Sequence, residues 1–181
     1  MHNVTRAPEG VLYRVDAHGS FTAVASGISI PNSLGWSPDG RTMYFADSLQ
    51  YAIFAYDFDA NSGQMSGKRV FATTRAPAFP DGSTVDAEGF LWNAEFNGWR
   101  VVRYAPDGSI DRVIELATHR PTCCAFGGPN LDTLYITTAS QQMSPEEMSK
   151  QPLAGALLAV DAGVRGLVEP RFVPAFGETW E

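Results

Sequence analysis

The chain has 181 residues, 44% hydrophobic and 18% charged, which is long and apolar enough to bury a core and unlike a disordered chain. Its net charge of −7 and the absence of any long Lys/Arg run argue against nucleic acid or an anionic membrane as partner, since both attract clustered positive charge. No stretch approaches the ~20 apolar residues of a membrane-spanning helix, and the N-terminal segment lacks the apolar centre of a signal peptide.

In chain order the sequence reads as short strands. Residues 11–15 (VLYRV), 43–46 (MYFA), 52–56 (AIFAY), 101–104 (VVRY), 110–116 (IDRVIEL), 133–137 (TLYIT) and 156–160 (ALLAV) are rich in β-branched and aromatic side chains. Turn sequences separate them: DAHG, SPDG, NSG, DAEG and APDG. Residues 144–151 (SPEEMSKQ) predict a short helix with Ser144 as cap, Pro145 at its first position and Pro152 beyond its end. Cys123 and Cys124 are adjacent, so on a strand they point to opposite faces and are poorly placed to pair. They are expected to be buried, inert thiols in a reduced, cytoplasmic setting.

The strands recur within a repeated frame. PNSLGWSPDG (31–40), PDGSTVDAEG (80–89) and PTCCAFGGPN (121–130) each open on Pro, carry Trp36, Val85 or Phe126 five places later, and lead to Met43-Tyr44, Leu91-Trp92 or Leu134-Tyr135. A second marker alternates with the first: GVLYRVDAHGS (10–20), YAIFAYDFDANSG (51–63), WRVVRYAPDGS (99–109) and GALLAVDAGVRG (155–166). About four strands every 40–50 residues is the period of a β-propeller blade. The expected fold is therefore all-β, a partial propeller in a single domain over 1–181. Residues 1–30 form half a blade, and 31–79, 80–120 and 121–181 form three further four-stranded blades. A closed propeller needs ~4–8 blades, so open edges and self-association through them are expected.

The residue after each opening proline differs: Asn32, Asp81 and Thr122. Equivalent positions of successive blades converge on the propeller axis, so all three, placed just before the first strand of their blades, should face one channel mouth. An amide carbonyl and a carboxylate there are hard oxygen donors suited to Ca²⁺ or Mg²⁺, and acceptable to Zn²⁺ or Mn²⁺. The alternative is that Pro-Asn and Pro-Asp are simply turn residues. Other chemistries have no motif. His2, His18 and His119 lack metal-ligand spacing, and no phosphate loop, dinucleotide fingerprint or nucleophile elbow occurs. Asp39, Glu88 and Asp107 sit in Gly-containing turns. Trp92, Phe96 and Trp99 suit blade core better than the wall of a sugar site.

From about Gly10 to Arg171 the chain resembles the gluconolactonase family, also called the regucalcin or senescence-marker-protein family. The likeness rests on PNSLGWSPDGRTMYFADS, YAIFAYDFDANSGQ, FPDGSTVDAEGFLWNAEFNGWRVVRYAPDG, PTCCAFGG and QPLAGALLAV, in that order. The resemblance implies a six-bladed propeller, one divalent metal at the channel mouth, and hydrolysis of sugar lactones. It also implies Asn32 as a metal ligand, and Asp81 as both metal ligand and proton donor/acceptor. Ca²⁺ or Zn²⁺ is the implied metal, with Mn²⁺ or Mg²⁺ as alternatives; Thr122 is a candidate for binding a substrate hydroxyl. The chain departs from the family in two ways. Ser33 stands where the family has glycine after the asparagine, and the sequence corresponds to the C-terminal two thirds of a longer enzyme, with Met1 resembling an internal methionine. The family's glutamate ligand and its substrate-contacting arginine and asparagine have no counterpart, and nothing in HNVTRAPEG, Glu9 included, is assigned to a further acidic contact. Impaired lactonase activity is the resulting expectation; the alternative is a non-enzymatic metal-binding fragment or scaffold.

Overall fold

The computed structural model describes residues 7–173 and 175; Met1, His2 and the first residues of the expected half blade lie outside the described residues. Strands β1 (Gly10–Val15) and β2 (Phe21–Ile28) pair as an antiparallel hairpin. Strands β3 (Pro31–Trp36), β4 (Thr42–Asp47), β5 (Ala52–Asp59) and β6 (Gln64–Thr73) form a four-stranded meander. So do β7 (Phe79–Val85), β8 (Leu91–Phe96), β9 (Arg100–Tyr104) and β10 (Ile110–Glu115). The last sheet holds β11 (Pro121–Gly127), β12 (Thr133–Thr138) and β13 (Leu157–Asp161), with helix α1 (Pro145–Lys150) in the β12–β13 connection. Every pairing is antiparallel and every sheet follows chain order, the arrangement of successive propeller blades.

The strand period of two builds the core. On β4, Tyr44 and Ala46 face the β7–β10 sheet, where they meet Val85, Leu91, Val102 and Tyr104; Met43 and Phe45 face the hairpin, where they meet Ile28, Leu12 and Ala25. On β8 and β9 the split repeats: Leu91 and Val102 turn one way, while Trp92, Ala94 and Val101 turn toward Cys124, Leu134 and Ile136 of the last sheet. The central strands β4, β5, β8 and β9 are therefore mostly buried on both faces, whereas β12 alternates buried with more open positions and β13 alternates half-buried with exposed ones. Strand β3 packs against β7, and β7 against β11, so the first strands of three sheets line one axis. Gly82 permits the closest approach: a Cβ there would lie 2.4 Å from the Cys123 sulfur.

Among the described residues, the last sheet has three strands where four were expected. Residues 165–167, beyond β13, lie against the neighbouring sheet. The Arg165 carbonyl accepts from the Ala87 N–H, Gly166 bridges Asp86, and Leu167 packs on the Tyr44–Val85 core. The predicted helix forms with its cap at Ser144, and its capping box is complete.

Candidate metal centre

Asn32, Asp81 and Thr122 do not precede their strands as expected; each lies inside one, at an irregularity of register. The opening prolines already pair: Pro31 with Asp47, Pro80 with Glu95, and Pro121 with Thr138. The ladder then slips between Asn32 and Gly35, between Pro80 and Ser83, and between Pro121 and Cys123. A bulge at one fixed place in each inner strand re-aims the side chain there, so the frame is shared while the residue it aims differs.

At the first bulge Ser33 adopts a left-handed backbone, φ +56°, a conformation glycine takes without strain. This is the physical content of the departure from the family's glycine. Ser33 is buried, and its hydroxyl is hydrogen-bonded to that of Ser83 on β7, which ties the two bulges together. At the second bulge the fully buried Asn93 on β8 donates through Nδ2 to the Asp81 carbonyl (3.0 Å) and to Ser83 Oγ (2.9 Å).

Asn32 and Asp81 line one cavity of about 460 Å³, together with Ser48, Phe79, Phe96 and Gln141 among others. Asn32 Nδ2 donates to Ser48 Oγ at 2.9 Å, which fixes the nitrogen end of the amide and leaves its carbonyl oxygen for another partner. Burial pushes the Asp81 carboxyl up to about 7, partly offset by the Gly82 N–H. Among the described residues no Lys, Arg or His lies within ion-pair distance of it. A desolvated carboxylate without a cation, beside an available amide oxygen, fits a hard divalent ion. These two residues alone do not complete a coordination sphere: among the described residues, no group of three or more His, Cys, Asp or Glu side chains is placed to hold a metal.

Thr122 stands apart from this cavity's lining, and its Oγ1 is hydrogen-bonded to Thr137 Oγ1 at 2.7 Å. Trp92 is core, donating its indole N–H to Asp86. Phe96 lines the cavity under the Arg120 guanidinium, and Trp99 packs on His119 at the surface. Cys124 is buried as expected, but Cys123 is exposed, because the two side chains leave the strand on opposite faces. Sequence reading missed Ser48, Asn93, Gln141 and Gln142. Ser48 lies in a 3-10 turn (Ser48–Gln50) and the glutamines in the β12–β13 connection, so neither belongs to the repeated frame that marked Asn32 and Asp81.

Bladed meanders around a common axis, with the oxygen-bearing Asn32 and Asp81 at bulges of the inner strands and lining one cavity, define an incomplete β-propeller with a candidate cation site. Residues 1–140 match the family described as SMP-30/Gluconolactonase/LRE-like region, and the chain belongs to that family. It is 36% identical to regucalcin of Homo sapiens over 162 residues, covering 88% of this chain and 54% of that protein. It is 38% identical to 6-deoxy-6-sulfogluconolactonase of Pseudomonas putida over 165 residues, covering 90% of this chain and 56% of that one. The crystal structure of a calcium-binding protein, regucalcin, from Agrobacterium tumefaciens superposes with a TM-score of 0.86 at 34% identity, covering 92% of this chain and 57% of that chain. The chain thus spans about half the length of the curated relatives it matches.

Proposed function

We propose that this chain carries the cation-binding and proton-handling part of a sugar-lactone hydrolase, with Asn32 and Asp81 as ligands to one divalent ion. The single observation behind this reading is the cavity that joins Asn32 to Asp81, a desolvated carboxylate with no cationic partner. Relatives named as a sulfogluconolactonase and as a calcium-binding regucalcin support the substrate class and the ion. Ca²⁺ or Zn²⁺ would suit the site, as would Mn²⁺ or Mg²⁺. When bound, such an ion supplies Lewis-acid polarisation of the lactone carbonyl and acidifies water.

The chain's own residues would do the rest. Asp81 takes the proton of the attacking water and returns it to the ring oxygen as the acyl–oxygen bond breaks. Asn32, being neutral, binds the ion without quenching its charge. Phe79 and Phe96 give an apolar wall to the sugar ring, and the Gln141 and Gln142 amides can pair with its hydroxyls. A substrate contact from Thr122 would use the capacity left after its bond to Thr137. With two protein ligands among the described residues, binding is expected to be weak and turnover below the ~10 s⁻¹ of ordinary enzymes. The same paucity of ligands favours the second reading, a metal-binding propeller piece without catalysis. Self-association is proposed through the open sheet faces, where Phe21 is 72% and Leu157 64% exposed. A cytoplasmic setting suits two free cysteines.

The test combines calorimetric titration with Ca²⁺, Zn²⁺ and Mn²⁺ and a pH-stat assay on a panel of aldonolactones. Cation-dependent hydrolysis abolished by Asp81→Ala is expected. Cation binding without hydrolysis would leave the non-enzymatic reading; unchanged cation affinity in Asp81→Ala would overturn the site.

A further inference from the structure

We propose that Ser48 is the positioning residue that couples the two candidate ligands, an inference that rests on the cation site described above. Ser48 follows β4 directly and is buried, 4% exposed. Its hydroxyl makes two bonds of defined direction. It donates to the Pro80 carbonyl at 2.7 Å and accepts from Asn32 Nδ2 at 2.9 Å. A serine hydroxyl has one proton. With that proton committed to Pro80, Ser48 can meet Asn32 only as an acceptor, so the amide must present Nδ2 to it and turn Oδ1 away. One hydroxyl therefore selects which end of the Asn32 amide is left for a cation.

The second bond acts on the other ligand. Pro80 immediately precedes Asp81, so Ser48 clamps the chain at the entry to the bulge that aims the carboxylate. The clamp itself is rigid. Ser48 N–H donates to the Ile30 carbonyl at 3.0 Å, and the Ser48 carbonyl accepts from Tyr51 N–H at 3.0 Å. The preceding residue, Asp47, accepts from the N–H groups of Ser29 (3.0 Å) and Ile30 (2.9 Å) and from Gln50 Nε2 (2.8 Å). Burial opposes the Asp47 charge, but these donors together hold its carboxyl below the usual carboxylate range, so the anchor stays ionised. The segment leading into Asn32, the turn bearing Ser48 and the segment leading into Asp81 are thus one connected unit spanning two sheets. Groups behind a metal ligand typically set affinity by 10–100-fold.

The experiment compares wild type, Ser48→Ala, Ser48→Cys and Ser48→Thr by calorimetric titration with Ca²⁺ and Zn²⁺, alongside thermal unfolding in chelator. Ser48→Cys keeps the side-chain shape with a modest gain in size and replaces the strong acceptor by a weak one, so it tests the proposal even if Ser48→Ala fails to fold. We expect Ser48→Ala and Ser48→Cys to lose 10–100-fold in affinity while Ser48→Thr, which keeps the hydroxyl, stays within about threefold of wild type. A merely structural role predicts the same loss from Ser48→Cys whether or not Asn32 is present. Positioning predicts that in an Asn32→Ala background the Ser48→Cys change costs clearly less than in wild type, keeping only the part that acts through Pro80 on Asp81. Wild-type affinity in a folded Ser48→Cys protein, or full additivity with Asn32→Ala, overturns the role of Ser48 and leaves the cation site standing. Absence of cation binding by the wild type overturns the site itself and this inference with it.

Discussion

Two aspartates five positions apart show what separates a structural acid from a candidate ligand. Asp86 is fully buried and saturated. Its Oδ1 accepts from the N–H groups of Glu88 and Phe90, both at 3.0 Å, while its Oδ2 accepts from the Trp92 indole (2.9 Å) and from Arg103 Nε and Nη2 (2.9 and 2.7 Å). Arg103 is itself gripped by Glu88 and Asp111 and lies over the Phe90 ring. Asp81 is partly buried at the cavity, with the Gly82 N–H opposing its desolvation and no cationic side chain among the described residues within reach. Asp86 has left water entirely and Asp81 in large part. Only Asp86 has been given a protein counter-charge, and the one left without is the one the bulge turns into the cavity.

Breaking the saturated acid should have the largest effect. Arg103→Met leaves Asp86 buried without its counter-charge and should cost ~3–5 kcal/mol of stability, measured by urea unfolding. Cation affinity of the folded fraction should stay near wild type. A cost under ~1 kcal/mol would mean that the N–H groups and indole alone satisfy Asp86, and the contrast between the two acids would fail.

Neutralising the starved acid should act in the opposite direction and only in one pH window. The Asp81 carboxyl stands at about 7 against 3.8 for an unperturbed aspartate, chiefly through desolvation. The folded state therefore holds a proton that the unfolded state releases between these values. This contribution to stability is full below about pH 4, declines as pH rises toward 7, and is gone above. In chelator, Asp81→Asn should remove that decline and gain on the order of 2–4 kcal/mol over wild type at pH 8. The wild-type-minus-variant difference isolates it from Asp47, whose lowered pKa acts with the opposite sign. A difference that is flat from pH 4 to 8 would show that Asp81 is not desolvated.

The blades were legible because each must bury two faces by alternation. That requirement writes itself into MYFAD, AIFAY and LWNAEF as near-continuous apolar runs between turn residues. Asn32 and Asp81, which the structure brings to one cavity, stood out in the sequence because they vary at one position of a repeated frame. Their place inside the strands was not legible, because proline at the head of a strand reads as a turn and a bulge depends on the partner strand. Ser48 and Asn93 were invisible for another reason. Each works by bonding to a carbonyl or hydroxyl distant in sequence, Pro80 for one and Asp81 for the other, and no local pattern encodes such a partner. Among the described residues the last sheet has no fourth strand, and Gly166 instead bridges Asp86 beside the neighbouring sheet.

The smallest effect tests whether the loop beside the cavity is a separate unit from the core that holds Asp86. Helix α1 is six exposed residues held by its ends. Ser144 Oγ accepts from the Glu147 N–H at 3.2 Å, and Glu147 Oε2 accepts from the Ser144 N–H at 2.7 Å. That second bond, foremost, keeps the Glu147 carboxyl below its usual value, so the cap is complete when Glu147 is ionised and weakens as pH falls through the carboxylate range. Among the described residues of α1 none is buried, so little packing energy links the helix to the sheets. Ser144→Ala should therefore cost ~1 kcal/mol locally. Amide exchange at residues 146–150 should accelerate about fivefold while exchange in β8 and β9 is unchanged. Global unfolding should move by less than ~0.5 kcal/mol, and cation affinity by less than twofold, since neither Asn32 nor Asp81 bonds to this segment. Acceleration confined to α1 means that the loop bearing Gln141 and Gln142 adjusts independently of the strands that carry Asn32 and Asp81. If β8 and β9 exchange faster as well, the helix belongs to the same cooperative unit as Asp86.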